Sequence, residues 1–448
     1  MKKTLLFLFT LFSFIARAYQ IDISIKGVKE DYCKLAFYYS EKQLLHDSTF
    51  LDKKGEGSFS GDGLLDRGIY LIVLPNGKYF ELLINKDQEF EITTDTVDIV
   101  KNMSLKNADP DTDKFLQYVQ FLAKKSIEVS NIKSSKKDLT NKEQVKVNLI
   151  EKEIRAYKNN LTSVTSESFA KDIILSTTEI TVPEKLTSKQ EKWHYYNRHY
   201  LDNINFANEG MLRTPIFHKK LMHFMDKVNY QIPDSIINAT DFIINKAKKN
   251  DQVYQYVVSQ LTNKYANSKV MGMDKVFHHI GQSYYLDTPA WWADSALTQK
   301  IKERVIKLKY NLIGNRAIPF VMADSSGRKY SLYETRAEYT VLFFWSASCG
   351  HCKKTAPLLK DLYDQFKEKD VEVIAINIDK KEKEWKSYLK KHDYGWINIA
   401  DGQNKTNFRT YYNIDSTPII YLLDNQKKIV AKRIDVDTLE ELLSRKLN

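Results

Sequence analysis

Apolar and polar residues alternate in short runs over residues 19–107, and turn-forming residues separate the runs. This period of two is typical of β-strands with one buried face. The segment Pro75-Asn76-Gly77-Lys78 predicts a hairpin turn. Strands this short and closely spaced indicate a small β-sandwich. The clearest predicted strands are residues 21–25, 35–39, 70–74 and 79–84.

Helical periodicity replaces the alternation over residues 108–312. Phe115, Tyr118, Val119 and Leu122 recur at helical spacing, which places them on one face of a helix. The pattern therefore predicts a central all-helical domain. Further helical segments are predicted at residues 217–228, 235–246, 252–265 and 296–312.

Near-continuous apolar runs distinguish residues 313–448. The clearest runs are residues 341–345 and 371–378, and such runs are typical of parallel strands buried on both faces. A further helix and strand are predicted at residues 382–391 and 396–399. We predict an α/β domain here, and hence a multi-domain protein of three parts.

The candidate chemistry lies at Cys349-Gly350-His351-Cys352, between the apolar run that ends at Trp345 and an amphipathic helical pattern. At the N-terminus of a helix, unpaired backbone N–H groups favour thiolate over thiol. A thiolate attacks disulfides, and a second cysteine three residues further on can displace the product. The motif thus predicts a redox-active disulfide between Cys349 and Cys352, with no other cofactor.

Other uses of a paired-cysteine motif have weaker support. A zinc site needs two further ligands, yet the only other cysteine, Cys33, lies more than 300 positions away, and no suitably spaced histidine pair is nearby. A haem attachment motif would need histidine after Cys352, where Lys353 stands. We expect no metal, and a structural disulfide is the remaining alternative. We interpret Cys33 as a half-buried strand residue.

The motif and its surroundings resemble the thioredoxin fold. Trp345 precedes the first cysteine by four residues, and Thr417-Pro418 directly precedes another apolar strand, where a cis peptide bond would serve. The nearest resemblance is to the thioredoxin-like thiol–disulfide oxidoreductases of the bacterial envelope, over roughly residues 313–448. This group includes the reductases of cytochrome c maturation. The preceding β-domain and helical domain also resemble domains that accompany such modules.

The resemblance implies roles for individual residues. In that family a loop with a cis-proline faces the two cysteines, and the backbone of the preceding residue pairs with an extended substrate. Substrate-binding roles therefore fall to Thr417 and Pro418, and redox tuning falls to Gly350, His351 and Trp345.

Two positions depart from the family pattern. Thioredoxin has a buried aspartate six residues before the first cysteine, where this chain has Phe343. The envelope reductases have a glutamate three residues after the second cysteine, where this chain has Thr355. Both acids assist proton transfer to the second thiol. Another base, bound water or His351 must act in their place, and the direction of electron flow stays open between reductase, oxidase and isomerase.

Residues 1–18 predict the compartment. Two lysines, a short apolar run and Ala16-Arg17-Ala18 form the pattern of a secretory signal peptide. Three cysteines in 448 residues indicate a fold that does not depend on disulfides. The net charge of +11 is spread over helices in which lysines alternate with acids, and no nucleic-acid motif is present. We expect a soluble periplasmic protein that does not bind nucleic acid.

These observations predict a periplasmic thiol–disulfide oxidoreductase. Its partners would be client proteins with thiols or disulfides and a membrane redox partner that resets the centre. The alternative is an envelope binding protein, in which the first two domains recognise a partner and the thioredoxin-like module is mainly a scaffold.

Overall fold

The computed structural model describes residues 19–133, 138–163, 167–380 and 382–447. The predicted signal peptide lies outside these residues. The chain forms two compact units. Unit 1 contains the residues up to Tyr230 together with Ile243–Tyr254, and unit 2 contains Gln231–Phe242 and the residues from Gln255 onward. The second part of the helical region therefore packs with the redox module.

The first part of unit 1 consists of two four-stranded sheets with the orders β4-β1-β7-β8 and β3-β2-β5-β6. All neighbouring strands in these sheets are antiparallel except β1 and β7. Ile21, Ile23 and Ile25 are buried at alternate positions of β1, and they pack with inward residues of both sheets. The predicted β-sandwich is thus confirmed. Its strands are β1 (Tyr19–Lys26), β2 (Asp31–Tyr39), β3 (Lys42–Leu51), β4 (Glu56–Gly61), β5 (Gly68–Val73), β6 (Tyr79–Ile84), β7 (Glu89–Asp95) and β8 (Ser104–Lys106).

Cys33 is more deeply buried than the sequence pattern predicts. It lies on β2 in the sandwich core with none of its surface exposed, and its thiol donates a hydrogen bond to the Val73 carbonyl oxygen at 3.3 Å. The expectation of a half-buried residue is wrong, because β2 turns this side chain between the two sheets. Burial raises the pKa of the Cys33 thiol to about 12, which makes it a poor nucleophile.

The helical region is confirmed, and side chains cap several of its helices. Thr140 and Ser188 each form a capping box at a helix start, and Asp294 accepts the Leu297 N–H at 2.7 Å. The helices are α1 (Pro110–Lys133), α2 (Asn141–Thr162), α3 (Phe169–Ser176), α4 (Lys189–His199), α5 (Phe217–His223), α6 (Pro233–Ala247), α7 (Asp251–Ala266), α8 (Asp274–Gly281) and α9 (Ser295–Lys309).

Unit 2 contains a seven-stranded sheet with the order β10-β9-β13-β12-β11-β14-β15. Strands β11, β12 and β13 are parallel, as predicted, and β14 is antiparallel to β11. The strands are β9 (Val321–Ala323), β10 (Lys329–Ser331), β11 (Tyr339–Trp345), β12 (Val371–Asn377), β13 (Ile397–Ala400), β14 (Ile419–Asp424) and β15 (Ile429–Lys432). The helices are α10 (Gly350–Phe366), α11 (Glu382–Leu389), α12 (Phe408–Tyr411) and α13 (Val436–Leu447).

Strand β11 is buried on both faces, which explains its unbroken apolar sequence. Val341, Phe343 and Trp345 pack into one core with residues of α10 and α13. Leu342 and Phe344 point the other way, into a second core that includes residues of α12. A strand held from both sides is a rigid support, and it leads directly into the paired-cysteine motif.

A buried ion pair joins the helical residues of unit 2 to its sheet. Lys432, at the end of β15, is only 6% exposed. Its ammonium group donates to the backbone carbonyl and the side-chain oxygen of Asn311 at 2.7 and 2.8 Å. The same group pairs with the carboxylate of Asp274, the first residue of α8. Because a buried cation needs such partners, this contact fixes α8 against the sheet.

Replacing Lys432 tests this contact. We expect Lys432→Met to lower the free energy of unfolding of unit 2 by about 3 kcal/mol, because it leaves the Asp274 carboxylate without its cation. Five of the six tryptophans belong to unit 2, so denaturant unfolding followed by tryptophan fluorescence reports on it. Lys386→Met removes the exposed pair with Glu382 and is the control, with an expected change of at most about 0.5 kcal/mol. Equal losses in both variants would contradict a structural role for the buried pair.

Candidate redox site

The loop after β11 places Cys349 at the N-cap of α10. The backbone of Cys349 is extended, with φ −78° and ψ 119°, and its N–H donates to the Ser346 carbonyl at 3.2 Å. Its sulfur accepts the backbone N–H of Cys352 at 3.4 Å. The sulfur thus occupies the position that a serine or aspartate oxygen takes at an ordinary helix N-cap.

This position lowers the pKa of the Cys349 thiol. Burial acts in the opposite direction, but the hydrogen bonds from Cys352, from the Thr417 side chain and from the His351 backbone outweigh it. These groups stabilise the negative sulfur more than the neutral one. Cys349 is half-buried, so the activated sulfur also keeps contact with solvent.

Cys352 has the opposite environment. It is fully buried among apolar side chains that include Trp345 and Ala356. Burial, followed by the proximity of Cys349, raises the pKa of the Cys352 thiol to about 11. The two sulfurs therefore have the properties that disulfide exchange requires. The Cys349 sulfur is accessible and acidic, as an attacking cysteine must be, and the Cys352 sulfur is shielded and protonated, as a resolving cysteine must be.

Thr417 and Pro418 lie beside Cys349. The peptide bond between them is cis, and β14 begins at the next residue. The Cys349 thiol donates to the Thr417 carbonyl oxygen at 3.6 Å. A groove of about 500 Å³ runs from this point between Thr355 and Leu358 of α10 and the chain after β15.

The remaining predicted site residues differ in their surroundings. Trp345 is only 1% exposed and belongs to the core cluster against which Cys349 packs, so it covers the sulfur pair from the interior. His351 is exposed on the first turn of α10. Gly350 is also exposed, and a Cβ atom added there would meet nothing within 4 Å, so sterics do not require glycine.

The two departures from the family pattern lie close to the buried thiol. Phe343 is fully buried, and its ring stacks on that of Trp345 with 6.2 Å between centroids. Thr355 is half-buried and lines the groove. The cluster around Cys352 is thus apolar where thioredoxin has its acid. A carboxylate that sequence reasoning missed, Asp379, accepts the Ala347 N–H at 3.1 Å and holds the loop before Cys349.

Sequence reasoning also missed the aromatic residues behind Trp345. Tyr388 of α11 meets the Trp345 ring edge to face at 5.3 Å, and its hydroxyl hydrogen-bonds that of Tyr394 at 2.9 Å. The Tyr394 ring stacks on Trp396 at 4.7 Å. The signal was the density of aromatic residues between positions 385 and 396, which the helix and strand predictions did not use.

Within the described ranges, no helix is long and apolar enough to cross a membrane. Among the same residues, no group of three or more His, Cys, Asp or Glu side chains is arranged to hold a metal ion.

Two family models match the chain. A thioredoxin-like model matches residues 337–429, which include β11, α10 and the loop with Pro418. A domain of unknown function, DUF5106, matches residues 130–311, from the end of α1 to just beyond α9.

Individual relatives match the part of the chain that contains the redox site. A thiol-disulfide oxidoreductase ResA from Bacillus cereus is 33% identical over 130 residues, which is 29% of this chain and 74% of the relative. ResA from Bacillus anthracis is 30% identical over 131 residues, again 74% of its length. A solved thioredoxin-like protein from Bacteroides caccae is 23% identical, covers 60% of this chain and 98% of its own, and has a TM-score of 0.49.

Unit 2 contains a thioredoxin-like sheet, and its sequence is similar to proteins named thiol-disulfide oxidoreductase. These two findings define a thioredoxin-like oxidoreductase domain. The chain belongs to the thioredoxin-like thiol–disulfide oxidoreductases. In this chain that domain follows an N-terminal β-sandwich and a helical region.

The three thiols should react with iodoacetamide in a fixed order. We expect Cys349 to be alkylated first, with a rate that levels off at a pH below the usual thiol pKa, because its pKa is lowered. Cys352 and Cys33, with pKa values of about 11 and 12, should react only slowly at pH 8 in the folded protein. Mass spectrometry of timed samples measures each site.

Unfolded protein is the reference for this measurement, because all three cysteines should then react alike. A Cys349 rate in the folded protein that keeps rising to pH 9, as in the unfolded chain, would contradict the acidified sulfur.

Proposed function

We propose that this protein is a periplasmic enzyme that exchanges disulfides with client proteins through Cys349 and Cys352. One observation carries the proposal: the Cys349 sulfur is half-exposed at a helix N-cap, with its pKa lowered, beside the shielded thiol of Cys352. The similarity to proteins named thiol-disulfide oxidoreductase supports the reaction class. The pattern of residues 1–18 and the small number of cysteines support the periplasmic address.

The exchange proceeds in two displacements when the protein is reduced. The Cys349 thiolate attacks one sulfur of a client disulfide, so a bond forms between Cys349 and the client while the client bond breaks. The other client sulfur leaves as a thiolate and takes a proton from solvent. Cys352 then loses its proton, attacks the Cys349 sulfur and releases the second client thiolate. The client gains two electrons, and the protein is left with the bond between residues 349 and 352.

Thr417 and Pro418 position the client in this scheme. The Thr417 carbonyl lies 3.6 Å from the Cys349 sulfur, so a client strand that pairs with the Thr417 backbone would bring its own sulfur to Cys349. Gly350 and His351 form the exposed first turn next to that strand, and Trp345 excludes water on the buried side. When the exchange runs in this direction, a membrane redox partner resets the protein by supplying two electrons; in the opposite direction the membrane partner accepts them.

Trapping of clients tests the mechanism. In Cys352→Ala the second displacement cannot occur, so mixed disulfides on Cys349 should accumulate in periplasmic extract. They should appear as bands of higher mass on a non-reducing gel and collapse on addition of dithiothreitol. Cys349→Ala is the matched control and should trap nothing.

A third variant separates the site from the remaining cysteine. Cys33→Ala should behave like the unaltered protein, since Cys33 lies in the core of unit 1. The proposal fails if the Cys352→Ala protein forms no thiol-sensitive adducts, or if equal adducts form without Cys349. That result would leave the module as a scaffold of a binding protein.

The apolar surroundings of Cys352 predict a slow second displacement. Burial is the largest cause of the raised Cys352 pKa, and it also acts in the mixed disulfide. Few molecules therefore have a Cys352 thiolate at pH 7, and the step should accelerate as the pH rises from 6 to 10. The Thr355→Glu variant restores the glutamate of the family pattern next to Cys352. It should accelerate the second displacement at pH 7 by about tenfold or more, because a carboxylate can accept the thiol proton.

Stopped-flow tryptophan fluorescence after mixing reduced protein with oxidised glutathione measures this step. Thr355→Gln is the control, since it has the same length without a base, and it should leave the rate unchanged. Equal acceleration by the glutamine variant would show that the side chain acts by size and would refute proton transfer as the limiting event.

A further inference from the structure

A second cleft opens beside the redox centre within unit 2. Its walls are α9, the segment 268–274 that leads into α8, and the residues that follow β15. It encloses about 590 Å³. Arg433 and Ile434 line both this cleft and the groove at Pro418, so the two depressions adjoin at these residues. The helical residues therefore extend the surface on which a client would lie.

The cleft has an excess of positive charge. Three acids, Asp274, Glu303 and Asp415, lie among its lining residues, and two of them are already paired. Asp274 pairs with Lys432, and Asp415 accepts from Arg433 at 2.9 Å. The cleft has six cations, which outnumber its acids by three: Lys269, Lys300, Arg304, Lys307, Lys432 and Arg433.

Helix α9 presents three cations and one acid, Glu303, to the cleft. Lys300, Arg304 and Lys307 are four and three residues apart, a spacing that aligns side chains along a helix. The Arg304 guanidinium is fixed by stacking on the Phe277 ring at 4.3 Å and by donating to the Ala266 carbonyl at 2.6 Å. A fixed guanidinium between two exposed ammonium groups is suited to carboxylates.

The rim of the cleft is apolar. Val270 and Met271 are 58% and 43% exposed, and both line it. Large apolar side chains next to cations fit a polypeptide with both acidic and apolar residues better than they fit a small anion.

We infer that this cleft binds an acidic segment of the client polypeptide, next to the disulfide that reacts with Cys349. The inference rests on the proposed function, because the position of the cleft next to the groove at Pro418 is what assigns it to the client. It defines a class of substrate: proteins whose reactive cysteine is followed or preceded by aspartate and glutamate residues. The attraction falls with salt because the cleft is open to solvent.

Two disulfide-bonded model peptides test the inference with the full chain. One has four Asp or Glu residues beside the disulfide, and the other has Asn or Gln at the same positions. We expect the reduced protein to react faster with the acidic peptide by about tenfold at low ionic strength, and the advantage to shrink in high salt. Lys300→Glu with Lys307→Glu should remove that advantage and leave the rate with the amide peptide unchanged.

The same helix offers a matched control. Lys302 and Lys309 are exposed on the opposite face of α9, outside the cleft, and replacing both by glutamate makes the same change in net charge. This control should keep the preference for the acidic peptide. Direct binding of the labelled acidic peptide to the Cys349→Ser protein, followed by fluorescence anisotropy, separates docking from chemistry.

Each outcome decides one of the two claims. Salt-sensitive peptide binding that is lost in the α9 double variant, without any reduction of peptide by unaltered protein, would support the cleft and refute the proposed exchange. Equal rates with both peptides, or equal losses in both double variants, would overturn the cleft assignment. Sedimentation with phosphatidylglycerol vesicles that depends on Lys300 and Lys307, without a preference for the acidic peptide, would assign the cleft to a membrane surface instead and overturn the inference.

Discussion

The contact between the Cys352 N–H and the Cys349 sulfur is the interaction on which the redox site depends. This contact exists because α10 begins directly after Cys349. The start of α10 is fixed in turn because β11 packs against a core on each face and so holds the loop that follows it in one position. A strand packed on one face only would hold the loop less firmly. The chemistry of one sulfur is therefore set by the packing of a central strand.

The same core that supports Cys349 isolates Cys352. Phe343 and Trp345, which give β11 its rigidity on that side, also form the apolar surroundings of the second thiol. Desolvation then disfavours its anion. Activation of one cysteine and inertness of its neighbour are thus two results of one packing arrangement.

Local sequence patterns predicted much of this structure, but they could not predict contacts between residues that are far apart in the chain. The strand at residues 79–84 and the helix over residues 252–265 follow from periodicity, because burial of one face repeats along the chain. The prediction of a redox pair at Cys349 and Cys352 followed from the spacing of the two cysteines and from the strand and helix patterns that flank them. Lys432 shows the limit: a lysine at a strand end predicts an exposed side chain, and only the fold brings Asn311 and Asp274 to it. The contact between Tyr388 and Trp345 was not predicted for the same reason.

The buried ion pair between Lys432 and Asp274 also affects where a fragment that contains the redox module can begin. A fragment that starts at residue 313, where the strand-like sequence begins, would keep Lys432 and lose both Asp274 and Asn311. Removal of the preceding residues would also uncover Lys432, so its ammonium group would be hydrated instead of paired. A fragment cut there would therefore expose to solvent a contact that is interior in the full chain, because Asp274 and Asn311 belong to the residues that precede the module.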